Sequence, residues 1–60
     1  MIAIQLNKIK AGSIIQRKPD SKTLYIKKHY DKSSKSFSLI DIEDINREIF
    51  LKSNAIVYID

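Results

Sequence analysis

Seven cations fall between Arg17 and Lys35 (Arg17, Lys18, Lys22, Lys27, Lys28, Lys32 and Lys35), with Tyr25 and Tyr30 among them and Phe37 just beyond. Cations neutralise a phosphate backbone and ring faces stack on bases, and together these contacts hold nucleic acid. The chemistry expected of this stretch is phosphate contact by Arg17, Lys18, Lys27, Lys28, Lys32 and Lys35, with Tyr25 and Tyr30 stacking. The competing use of the same lysines is a solvated strand edge that discourages sheet-to-sheet aggregation. Lys outnumbers Arg nine to two, which favours point contacts to phosphate over bidentate reading of guanine. Twelve Ile beside nine Lys is also the usage of AT-rich coding, so part of this charge carries no meaning for a ligand.

Other reactive types are sparse. His29 is the only histidine and there is no cysteine. One His without Cys cannot complete the three or four ligands of an ordinary zinc site, so no metal is expected. Asp41, Glu43 and Asp44 cluster, but acid–base chemistry needs a cleft that separates their proton affinities, and turn capping is the simpler use. Their spacing lacks the central Gly and final Glu of a calcium loop. The single Gly12 excludes a glycine-rich phosphate loop, and Ser13 has no base or oxyanion pocket in view. The chain is therefore read as non-enzymatic, with no cofactor and no small-molecule substrate.

Sixty residues and 7.0 kDa allow one small domain, 1–60, which buries only about 60% of its unfolded surface. Without disulfides its stability must come from packing or from association. No apolar run approaches the roughly 20 residues of a membrane span. The N-terminus lacks the pattern of a signal peptide, so the expected location is the cytoplasm. The +4 net charge is unevenly spread. Residues 1–36 carry nine Lys/Arg against Asp20 and Asp31, whereas 37–60 carry Arg47 and Lys52 against five carboxylates.

β-branched and aromatic residues dominate and breaks recur every 8–12 residues, which predicts a small all-β domain. Strands are expected at about 2–6, 13–18, 23–30, 36–42 and 55–60, with another at 48–52. Pro19 ends the second, and Gly12 gives backbone freedom at its start. Asp31–Lys35 forms a reversal from Asp and two Ser. Pairing residues across it sets Leu24 opposite Ile42 and Ile26 opposite Ile40, four aliphatics expected to face the core. Tyr25 by Asp41, Lys27 by Leu39 and His29 by Phe37 then share the outer face.

Ile42, Ile45 and Ile49 have helical spacing, so 41–51 is open to two readings. One is a short 3₁₀ or irregular turn near 41–46 followed by a strand. The other is a helix over 41–51, giving an α+β fold. Under the first reading the architecture resembles the small SH3-like or Tudor-like antiparallel barrels of five or six short strands. That resemblance is architectural and implies no function.

Two partner classes follow. The first is nucleic acid on the lysine-rich face. The second is a protein partner or homodimer, held by Phe37 and Leu39 with Tyr25 and the edge strand 55–60, because a strand apolar on both faces needs a cover.

Overall fold

The computed structural model describes all 60 residues. Six strands run in order: β1 (Ile2–Gln5), β2 (Ile14–Ile15), β3 (Tyr25–Asp31), β4 (Ser36–Asp41), β5 (Asp44–Lys52) and β6 (Ile56–Ile59). All pairings are antiparallel. β2-β3-β4-β5 form one sheet and β1-β6 a second. A single bridge, Gln16 to Tyr58, ties the two together. The chain is thus all-β, as its residue usage predicts. No ladder joins β5 to β1 or β6, so the sheets meet without closing a barrel.

Segment 41–51 is not a helix. β4 reverses into β5 through Ile42 and Glu43 alone, and Asp44–Asn46 are already strand. Asp41 directs this reversal: its Oδ1 accepts the Glu43 N–H at 2.8 Å. The short turn expected near 41–46 before a strand is this reversal at Ile42–Glu43, and a separate 3₁₀ turn lies at Leu6–Lys8, directly after β1. The segment expected as strand 13–18 shortens to Ile14–Ile15 plus the Gln16 bridge. Gly12, at φ +91°, has the left-handed backbone that glycine tolerates. Its N–H donates to the Lys27 carbonyl at 2.8 Å, seating the start of β2 against β3.

The hairpin register is as expected for Tyr25↔Asp41, Ile26↔Ile40 and Lys27↔Leu39. Beyond Lys27 it shifts: Lys28 and His29 together oppose Ser38, and Tyr30, not His29, pairs with Phe37. Such a bulge reverses the alternation that follows it. Tyr30 therefore falls on the Phe37 face, with ring centroids 5.0 Å apart at 64°. The reversal closes as an Asx turn, in which Asp31 Oδ1 accepts the Ser33 N–H at 3.0 Å and the Ser33 hydroxyl at 2.7 Å.

The core lies on the opposite parity from the one expected. Leu6, Ile9, Ile15, Tyr25, Leu39 and Val57 are buried together, with Ile4, Phe37, Ile49, Leu51 and Ile59 packed around them. The aliphatics expected to be core lie on the outer face, with Leu24, Ile26 and Ile40 half-buried and Ile42 exposed. The expectation fails at Lys27, whose charge reads as solvated but which is 4% exposed on the inner face. Its Nζ donates to the Leu6 carbonyl at 3.0 Å and to the Ile9 carbonyl. The ammonium also lies 4.0 Å from the Phe37 ring centroid. Two carbonyls and one ring face match the three N–H donors of an ammonium. A charge that reads as surface in the sequence is accommodated inside by the 3₁₀ turn and the residue after it.

Candidate nucleic-acid interface

The register fixes which residues share an end of the molecule. Asp31, Ser36 and Lys52 are neighbours across three strands. The Asn7 and Leu6 N–H groups donate to the Ser53 and Ala55 carbonyls, both at 2.9 Å, and Gly12 joins Lys27. The β3–β4 turn, the 3₁₀ turn and the β5–β6 turn therefore gather at one end. Six exposed lysines sit there: Lys8, Lys10, Lys28, Lys32, Lys35 and Lys52. Asp31 is the carboxylate at the turn itself, and the Glu48 carboxylate lies one row inward, bonded to Ser38 across from Lys28. The Ser33 hydroxyl, then the Ser33 N–H, holds the Asp31 carboxyl below the usual range. No lysine at this end forms an ion pair; the one ion pair in the fold is Arg47 to Asp41 at 4.0 Å.

The far end is mixed. Arg17, Lys18, Lys22 and Arg47 lie there with Asp20, Asp41, Glu43, Asp44 and Asp60. An open, mostly apolar groove of about 480 Å³ also lies toward that end, between Ile14–Gln16, Leu24 and Tyr58–Asp60. Its hydroxyls belong to Ser13 and Tyr58 and its carboxyl groups to Asp60. No three His, Asp or Glu side chains converge to hold a metal. No helix is long and apolar enough to cross a membrane.

The expected nucleic-acid residues separate on folding. Lys28, Lys32, Lys35 and Tyr30 are exposed at the cationic end. Arg17 and Lys18 are exposed at the other, because they follow Gln16, which bridges to Tyr58. Tyr25 and Lys27 are buried on the inner face and present nothing to a ligand. Burial also lowers the Lys27 pKa, since desolvation disfavours its charged form. The expected interaction pair does not form a surface either: Leu39 is fully buried and Phe37 packs against the core. The strand at 56–59 is no free edge, being flanked by β1 and Gln16.

Lys8, Lys10, Lys52 and Phe50 belong to this end and were not in the expected set. Lys8 and Lys10 carry no local signal, because only the Asn7–Ser53 and Gly12–Lys27 hydrogen bonds bring their segments there. Lys52 and Phe50 follow from alternation once β5 pairs Phe50 with Ser38 and Lys52 with Ser36.

No family model, no curated protein and no solved structure matches this chain.

Proposed function

We propose that the chain is a non-enzymatic module that holds nucleic acid through the six-lysine end. The observation that carries this reading is the segregation itself: six lysines against Asp31 and the inward Glu48 at one end, and mixed charge at the other. Clustered like charge costs self-repulsion and yields a directed positive potential. Phosphate contacts release counterions, so the affinity expected of such a surface is steeply salt-dependent. The absence of Arg from this end favours backbone contact over base-edge reading.

The test is an anisotropy titration of a labelled mixed-sequence oligonucleotide at about 50 and 200 mM salt. Binding that falls at least tenfold between the two supports the reading. No binding at the lower salt ends it.

A second reading, self-association or a protein partner, draws on the free edge of β5. That strand is nine residues long and pairs on one side only, and its Ile45 is 80% exposed. Unpaired edges of this kind template strand addition. A mass that rises with concentration in sedimentation, and returns to monomer on Ile45→Lys, supports it; a strict monomer that captures no partner removes it.

A further inference from the structure

The outer face of the four-stranded sheet reads as rows across the strands. Asp31, Ser36 and Lys52 form the row nearest the cationic end. In the next, the bulged pair Lys28 and His29 oppose Ser38, which pairs with Phe50. Ile14, Ile26, Ile40 and Glu48 form the third. β1, β6 and the 3₁₀ turn supply their core residues to the opposite, inner face.

The two serines are a buried floor: Ser38 is fully buried, its hydroxyl bonded to the Glu48 carboxylate, and Ser36 is 5% exposed. Phe50, 48% exposed, borders this floor on one side and exposed His29 on the other. They stand two strands apart, roughly 10 Å. Lys28 and Lys52 are on the same face. Two rings beside these serines, with Lys28 and Lys52 outnumbering the one Glu48 carboxylate bonded to Ser38, match a strand whose bases stack and whose phosphates are neutralised.

We infer that this face is a platform for single-stranded nucleic acid, with one base stacked on Phe50, a second on His29, and Lys28 and Lys52 holding the phosphates. The inference rests on the nucleic-acid reading and narrows it to one form of ligand. A duplex keeps its base faces stacked inside, so it meets the lysines but gains nothing from the rings. An unpaired strand uses both. Positive charge complementary to phosphate sets this occupant apart from a wholly apolar partner.

The experiment measures anisotropy at low salt with a 12-nucleotide DNA strand, the same sequence as RNA, and the blunt DNA duplex. The expected result is at least about tenfold tighter binding of a single strand, DNA or RNA, than of the duplex. Phe50→Ala should weaken single-strand binding about tenfold, within the range for loss of one stacked base. It should leave duplex binding unchanged, and Phe50→Tyr should restore the single-strand affinity. Circular dichroism establishes that Phe50→Ala is folded; if it is not, His29→Ala, at an exposed position, replaces it with the same expected loss. Duplex binding as tight as single-strand binding, or Phe50→Ala and His29→Ala both binding like the parent, overturns the platform while leaving the cationic end as a phosphate site. Failure to bind any of the three ligands removes both.

Discussion

Lys27 and Phe37, ten residues apart on paired strands, meet inside the protein: the ammonium lies 4.0 Å from the ring centroid. The same ammonium accounts for the acceptors of the 3₁₀ turn, since the Leu6 and Ile9 carbonyls both take its protons. β3 is thereby fastened to the segment that follows β1, and the buried side of the sheet is decided.

Lys27→Met keeps most of the volume and removes the donors. It leaves the Ile9 carbonyl unpaired and loosens the 3₁₀ turn, with an expected loss of about 1–3 kcal/mol in urea unfolding at pH 7. The pH dependence has a definite sign. Burial lowers the Lys27 pKa from 10.5, so the unfolded chain binds more protons at this group than the native one. Stability from this group therefore rises with pH from its lowered folded value up to 10.5. The gap between parent and Lys27→Met should widen over that window. A gap that narrows contradicts the buried ammonium.

The parity of the core is tested by a pair of substitutions. Leu39→Ala removes a fully buried side chain and is expected to cost about 3 kcal/mol. A core this small supplies about 3–5 kcal/mol in all, so the variant should be largely unfolded by circular dichroism near room temperature. Ile26→Ser, on the outer face beside Lys27, should cost about 1 kcal/mol. Equal losses would place the core on both faces.

That contrast also shows how far the sequence was legible. Alternation, Pro19 and the Asp-Ser-Ser reversal placed the hairpin and its register near Tyr25–Lys27, because each acts over a few residues. The buried face was not legible. Leu24, Ile26, Ile40 and Ile42 outweigh Tyr25, Phe37 and Leu39 on composition, and the charge of Lys27 marks its own face as solvated. Only the long-range carbonyls of Leu6 and Ile9 reverse that reading. The cationic end was half legible for the same reason. Lys28, Lys32 and Lys35 are local to one hairpin, whereas Lys8, Lys10 and Lys52 reach it through backbone contacts outside that hairpin, Asn7 to Ser53, Gly12 to Lys27 and Ser36 to Lys52. The helical spacing of Ile42, Ile45 and Ile49 was a coincidence of period; Asp41, by capping the Glu43 N–H, turns the chain back at once.

Acid should loosen the β3–β4 turn first. The Asp31 carboxyl is held below its usual value by Ser33, so the stabilisation it gives is present above 3.8 and is lost as pH falls through its lowered value. Amide exchange of Ser33, corrected for intrinsic rates, should lose protection in that range while Leu39 stays protected. Asp31→Asn should remove the acid dependence at Ser33. An unchanged acid profile in that variant assigns the effect elsewhere.

The central claim is that charge at one end, not net charge, holds the ligand. Its most direct measurement compares two double variants of equal charge change, Lys32→Glu with Lys35→Glu and Arg17→Glu with Lys18→Glu, in salt titrations against one single-stranded oligonucleotide. The parent should give a slope of log affinity against log salt of about −2 to −4, from six lysines at up to about 0.7 each. The Lys32/Lys35 variant should lose about 1 to 1.5 of that slope and at least tenfold in affinity at low salt, while the Arg17/Lys18 variant stays within about threefold of the parent. Equal losses in both variants, or a parent slope near zero, would contradict the account.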